Sequence, residues 1–315
     1  MKVATVTLNP AIDQTVSVNH FSMNTVNRGL GFQLDAGGKG VNVASFLADY
    51  GAEVAATGFL GDQNPEIFEQ LFRRKHIADY FVRLNGLTRI GIKIADQAKQ
   101  QTTDINLPGL APSAGELETL ELTIDQLAAD YDWFVLAGNL PPHVPTTWYP
   151  SVIKRLNDQG KHVILDTSRD ALRAGVAAAP SLIKPNIDEL SDVVGKPLHD
   201  LNEVESAAHE LLKQGIKLVV VSMGERGALF VNADQALVAI PPRVDVKSTV
   251  GAGDAMVAGT VAGLIEERPL AEIAKLATAF SCSTLTIIGA HLAQSPTLAD
   301  LMEQVEIRIQ QNHAF

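Results

Sequence analysis

Apolar and polar positions along the chain fall into two kinds of segment. In the first, a short and nearly continuous apolar run is followed by apolar residues at helical spacing. Residues 3–8, 53–59, 133–137, 163–166, 181–184 and 218–222 are such runs and predict strands. Residues 36–51, 65–75, 114–128, 146–159, 202–214 and 251–265 carry the matching helices. The first helix opens at Gly37, Gly38 and Gly40 and closes at Gly51, with Val41, Ala44, Phe46, Leu47 and Tyr50 as its buried face. Buried strands alternating with helices imply a mostly parallel sheet covered on both faces.

The second kind is more polar. Ile90, Ile92 and Ile94 alternate with Arg89, Gly91 and Lys93, the period-two pattern of a strand with one wet face. Residues 102–107 read as its hairpin partner, and residues 15–34, with Arg28 inside, as exposed strand. Such strands do not fit a sheet buried on both sides. They are assigned to a small appended sheet, a lid inserted at about 14–35 and 88–107. No repeat, low-complexity tract or linker marks a second domain, so residues 1–315 are read as one α/β domain.

Composition narrows the partners. A net charge of −11 argues against a nucleic-acid or anionic-membrane surface, though not against a local basic pocket. A lone cysteine, Cys282, rules out an internal disulfide and fits a reducing compartment. The apolar run at the amino terminus is too short for a signal peptide, and the cytoplasm is the expected location. No formal charge falls between Lys275 and Asp300, but Ser, Thr, His291 and Pro296 there favour a buried helix and loop over a membrane span.

The stretch 248–267 concentrates the candidate chemistry. After an expected strand ending in Val244 and Val246, Gly251, Ala252 and Gly253 open a helix whose first amides lack partners and shielding side chains. Such a turn suits an anion. Asp254 beside it would repel phosphate unless it has another task, either capping the helix or taking a proton from an attacking hydroxyl. The GxxxxGK[ST] loop is absent, Met256 replaces the third Gly of a dinucleotide fingerprint, and no kinase HRD or DFG set or hydrolase GxSxG elbow occurs. A nicotinamide oxidoreductase is therefore disfavoured.

Other polar residues gather where strands are predicted to end. Asp13, placed in a loop after the first strand, and Asn42 and Asn139 suit sugar hydroxyls, or are turn and cap residues. Arg28 and Arg89 on the polar strands could clamp a phosphate or simply blunt a strand edge. Asn186 and Glu189 form a near capping box, and the same spacing could orient waters on Mg2+. Residues 222–227 are a tight loop, either a nucleotide contact or a turn.

Taken together, AGGKGVN (36–42), KPNIDE (184–189), SMGERG (222–227) and STVGAGD (248–254) resemble the signatures of the ribokinase-like, phosphofructokinase B family of sugar kinases. The resemblance keeps the family's motif order over essentially the whole chain. TLNPAID (7–13) and TRIGIKI (88–94) bring it nearest the branch acting on ketohexose phosphates. It implies a three-layer ribokinase-like fold with a β-sheet lid, and phosphorylation of fructose 1-phosphate at C6. Tagatose-6-phosphate or fructose-6-phosphate kinases are the near alternatives, and a non-catalytic sugar-phosphate sensor is the remote one.

By this resemblance Asp254 is the base, and Gly251, Ala252 and Gly253 with the Asp254 amide form the anion hole. Asn186 and Glu189 hold Mg2+ through water. Lys184, Ser222, Gly224, Gly227, Ser248 and Thr249 lie at ATP. Asp13, Gly38, Asn42 and Asn139 hold the sugar, and Arg28, Lys39 and Arg89 are candidates for its phosphate. ATP and Mg2+ are the implied cofactors, a monovalent cation is a third candidate, and a homodimer through the lid is expected. Two departures stand out: Ser248-Thr249 in place of the commoner Asp-Thr, and His143 where the family's LPPG has Gly.

Overall fold

The computed structural model describes residues 1–287 and 289–310. In chain order, β1 (Lys2–Thr7) is followed by the lid strands β2 (Ala11–Val18) and β3 (Gly31–Gly37), then α1 (Lys39–Asp49), β4 (Glu53–Gly61) and α2 (Glu66–Lys75). Short β5 (Ala78–Asp79) and β6 (Val82–Leu84) lead to β7 (Ile90–Asp96) and β8 (Gln101–Asn106) of the lid. The alternating part comprises α3 (Ala114–Leu127), β9 (Trp133–Ala137), α4 (Trp148–Asp158), β10 (His162–Asp166), α5 (Arg169–Val176), β11 (Leu182–Ile183), α6 (Ile187–Val194), α7 (Leu201–Leu212) and β12 (Leu218–Ser222). The chain continues through β13 (Ala228–Val231), β14 (Ala236–Ile240), α8 (Ala252–Ile265), α9 (Leu270–Leu285), α10 (Leu298–Gln304) and β15 (Glu306–Ile309).

The large sheet runs β15-β14-β13-β12-β11-β10-β9-β1-β4-β5, parallel from β12 to β5 and antiparallel beyond β12, with β6 paired to β4. One core packs α3, α4, α5 and α7 on one face, with Phe134, Tyr149 and Ile153 wholly buried. The other packs α1, α2, α8 and α9, around Phe46, Phe230 and Phe280. A three-layer α/β fold results. Helix α1 is buried on nearly every side, because α8 covers the face that the sheet does not. Helices α8 and α9 meet closely: a Cβ on Gly259 would sit 2.7 Å from Ala277 Cα.

Several expectations change here. The strand before the glycine turn ends at Ile240, so Val244 and Val246 lie in irregular chain. The helix α5 and the antiparallel strands β13 to β15 were not expected. Asn232 makes the β13–β14 turn, its Oδ1 accepting from the amides of Asp234 and Gln235 at 3.0 and 2.9 Å. Segment 276–287 is the end of α9 and the turn after it; among the described residues no helix is long and apolar enough to cross a membrane.

The lid is a separate sheet, β3-β2-β7-β8. Its wet face is not the polar one. Register places Ile12, Val16, Leu34, Phe32, Ile92, Ile94 and Ile105 on one side, and Phe32 is 70% exposed, Leu34 46% and Ile105 44%. The opposite side carries Asp13, Asp35, Lys93, Asp104 and Asn106. Asp13 and Asp35 stand where β2 and β3 join the main body, beside the glycines that lead into α1.

Candidate active site

Strand β1 lies between β4 and β9, so the chain leaves it in opposite directions and a crevice opens beyond its carboxyl end. The carboxyl ends of β9, β10, β11 and β12 line the same edge, with the N-termini of α1 and α8. Gly38 caps α1 at φ 119°, a left-handed value, and a Cβ there would crowd Pro10 and Thr7 at 3.0–3.1 Å. The GGKG turn thereby presses α1 onto the end of β1.

Helix α8 starts from Gly251 at φ 82°. No described residue accepts a hydrogen bond from the amides of Gly251, Ala252, Gly253 or Asp254. Asp254 sits in this first turn, 8% exposed, and its Oδ2 accepts from Asn42 Nδ2 of α1 at 2.7 Å. Burial, reinforced by the nearby Asp166 carboxylate, pushes Asp254 up to about 6, against the opposing pull of Lys39. A buried carboxylate with that affinity for protons is suited to exchange them near neutral pH.

Two lysines share one oxygen of Asp166, the last residue of β10. Lys39 Nζ donates to its Oδ1 at 2.9 Å, and Lys184 Nζ stands 3.9 Å from the same atom. Burial resists ionisation of Asp166, but Lys184 and Lys39 outweigh it and hold the acid below its ordinary range. Burial likewise disfavours the Lys39 ammonium, which Asp166 and Asp254 nevertheless hold above its ordinary range. Lys184 also reaches the helix opening, since a Cβ on Gly253 would lie 3.3 Å from its Nζ. Positive charge and unspent amides therefore converge on one spot. Asp166 was missed in the sequence, although its place at a strand's carboxyl end was a usable signal.

Asn186 caps α6 as expected: its side chain accepts from the Glu189 amide at 2.8 Å, and Glu189 Oε2 from the Asn186 amide at 2.9 Å. The second Glu189 oxygen has no described partner, and Asp166 Oδ2 is buried without one. These are hard oxygen donors of the type Mg2+ takes while keeping most of its water. The loop 222–227 adjoins this turn through the Ser222 amide, which donates to the Pro185 carbonyl at 3.0 Å. Gly224 and Gly227 both have positive φ there. Ser248 Oγ accepts from the Val250 amide at 3.2 Å, and Thr249 is exposed beside it.

The sugar candidates are only partly gathered. Asp13 lies in strand β2 rather than in a loop, because the chain turns back at Asn9-Pro10 into the lid. Its carboxylate fills the space over two glycines: a Cβ on Gly37 or Gly91 would approach it to 2.6 or 2.8 Å. Burial pushes Asp13 upward, while Lys93, 3.4 Å away, pulls the other way. Asn139 is exposed after β9 and accepts from Ser168 Oγ at 3.1 Å. His143 adopts φ 68°, supplying the left-handed turn residue that Gly would supply.

The three phosphate candidates do not come together. Arg28 lies exposed in the loop between β2 and β3, not on a strand. Arg89 precedes β7, and its guanidinium donates to the carbonyls of Asn9 (3.1 Å from Nη2) and Leu107 (3.5 Å from Nη1). Lys39 is drawn to Asp166 instead.

Comparisons with known proteins identify the family. The sequence pattern of the pfkB family carbohydrate kinases matches residues 6–298. The chain is 44% identical over 309 residues to the 1-phosphofructokinase of Rhodobacter capsulatus, covering 98% of each chain. It is 42% identical over 306 residues to that of Vibrio cholerae serotype O1, covering 97% of this chain and 96% of the other. Among solved structures it resembles phosphofructokinase-2 of Escherichia coli in complex with substrates and products, with TM-score 0.89, 28% identity, and coverage of 96% and 99%. That Escherichia coli protein has also been solved with potassium and in a tetrameric inhibited form. The chain belongs to the pfkB family of carbohydrate kinases.

Proposed function

We propose that this chain is an ATP-dependent 1-phosphofructokinase that phosphorylates fructose 1-phosphate at C6, giving fructose 1,6-bisphosphate and ADP. The observation that carries the reading is Asp254. It is buried, oriented by Asn42 and raised to about 6, at a helix opening whose amides no described residue uses. Near-full-length identity to 1-phosphofructokinases supports the choice of substrate.

In this reading Asp254 takes the proton of the C6 hydroxyl as its oxygen bonds to the γ-phosphorus and the bond to the β-phosphate oxygen breaks. The amides of Gly251 to Asp254, with Lys184 beside them, face the charge that spreads over the transferring group. Lys39, fixed by Asp166, adds a second cation. Mg2+ held through water by Asn186 and Glu189 would neutralise charge on the phosphates. Ser222, Gly224, Gly227, Ser248 and Thr249 bound the nucleotide side, and Asp13, Gly38, Asn42 and Asn139 the sugar side. The potassium-bound Escherichia coli structure makes a monovalent cation worth testing as a third cofactor.

Two copies pair through the lid in this reading. Support comes from the outward apolar face, where Phe32, Leu34 and Ile105 stay 70%, 46% and 44% exposed. Steady-state kinetics with fructose 1-phosphate, fructose 6-phosphate and tagatose 6-phosphate test the assignment. A kcat/KM for either alternative equal to that for fructose 1-phosphate overturns it.

A further inference from the structure

We propose that Asn64 is a positioning residue for the sugar side of the reaction, the clamp on which the lid strand β7 pivots where it leaves the main body. The inference rests on the functional reading above for which end of the cleft holds the sugar. Between β6, which pairs with β4 of the large sheet, and β7, which pairs with β2 of the lid, residues 85–89 cross from one sheet to the other. Thr88 stands in this crossing, outside any strand, and is 3% exposed. Its backbone N–H and C=O therefore need partners that no neighbouring strand supplies. Asn64 supplies both: its Oδ1 accepts from the Thr88 amide at 2.7 Å, and its Nδ2 donates to the Thr88 carbonyl at 3.0 Å. The side-chain amide takes the place of a strand's backbone, and neither of its polar atoms has another partner among the described residues.

On the main-body side the clamp is stiff. Asn64 lies between the end of β4 and the start of α2, and the Pro65 ring restricts its backbone. The Thr88 hydroxyl is tied to the same turn, accepting from the Gly61 amide at 2.8 Å. The crossing also lies flat on Gly61, where a Cβ would stand 2.3 Å from the Thr88 nitrogen and 2.4 Å from the Gly86 oxygen. The crossing can therefore turn on this point but cannot slide toward β4. On the lid side the consequence reaches the sugar. Arg89 follows Thr88, and its carbonyl accepts from the Ile12 amide at 2.8 Å, the rung just before the Asp13–Gly91 pair of β2 and β7. A loosened clamp thus shifts Asp13, a sugar-side carboxylate. Among the described residues no hydrogen bond joins this crossing to the loops at 222–227 or 248–254 on the nucleotide side.

The test measures KM for the sugar phosphate and KM for ATP separately in wild type, Asn64→Ala, Thr88→Val and Thr88→Ser. The sugar is whichever of the three ketohexose phosphates the wild type prefers. Loss of two neutral hydrogen bonds should raise KM for the sugar about 5–30-fold in Asn64→Ala, with KM for ATP within about twofold. Thr88→Val should raise it about 3–10-fold, while Thr88→Ser, which keeps the hydroxyl, should stay within about twofold of wild type. An unchanged KM for the sugar in folded Asn64→Ala overturns the proposal. So does an equal rise in both KM values, which would make Asn64 a support for the fold as a whole. Should Asn64→Ala fail to fold, Asn64→Asp, which keeps the acceptor and loses the donor, replaces it under the same criteria. A wild type that prefers fructose 6-phosphate removes the choice of substrate alone, and the KM split still decides the clamp. A wild type that phosphorylates none of the three removes the functional reading and this inference with it.

Discussion

The opening of α8 and the lid sheet both present charge to one cleft, and they hold it by opposite means. At α8, Asp254 and Asp166 are 8% and 1% exposed, with Lys39 and Lys184 between strands and helices that pack on both sides. Burial there sets protonation as well as position. In the lid, Asp13 and Lys93 are held by one ion pair and by the clearance over two glycines, on a sheet whose other face leaves Phe32, Leu34 and Ile105 exposed. The contrast suits phosphoryl transfer, where the reacting end needs a fixed field and the covering end must open to admit the sugar.

The sharpest break of the catalytic half is Asp254→Asn. It should lower kcat by about 10²–10⁴ with KM little changed, read by steady-state assay; near-normal turnover would remove Asp254 as the base. Asp166→Asn leaves the buried Lys184 and the part-exposed Lys39 without their counter-charge, which destabilises the fold. Calorimetry should show a lowered Tm. The acidic limb of kcat/KM should also move to lower pH, because Asp166 helps to raise Asp254. An unmoved limb would mean that the two carboxylates do not communicate.

In the wild type, kcat/KM should fall about tenfold per pH unit below about 6 as Asp254 is protonated. A profile flat to lower pH would contradict the assignment.

The lid half is tested by Phe32→Glu, which should weaken self-association ~30-fold by sedimentation velocity while the acidic limb stays in place. A variant that associates as well as wild type would exclude this face as the contact.

The smallest effect concerns stability. Asp254 holds its proton up to about 6 when folded, against an ordinary 3.8, so its ionisation opposes folding. That cost starts as pH rises past the lower value and is complete above the higher one. Asp254→Asn should therefore melt a few degrees above wild type at pH 8 and lose that margin near pH 4, measured by thermal unfolding. An equal margin at both would assign the gain to packing.

Motifs that act within one or two turns were legible as residues. The glycine turns before α1 and α8 and the Asn186–Glu189 box depend on local backbone geometry, which neighbouring residues decide. The alternation of apolar runs and helical periods likewise announced a parallel sheet covered on both faces, because burial on both sides demands it. Past Ser222 the sheet turns antiparallel, a change that the run of apolar residues does not mark. Arg28 and Arg89 read as phosphate-matching residues on polar strands, and the fold sends one into an exposed loop and the other to backbone carbonyls.

What the sequence determined by itself was therefore the alternating body of parallel strands and helices, where the glycine turn lies and which carboxylate stands beside it. Only the tertiary structure decided which charges meet. Asn42 and Asp254 are 212 positions apart and Lys39 and Asp166 are 127 apart, so no local rule couples them. Nor could alternation tell which side of the lid faces the cleft. A period of two separates the faces of a strand, but what packs against each face depends on contacts far away in the chain.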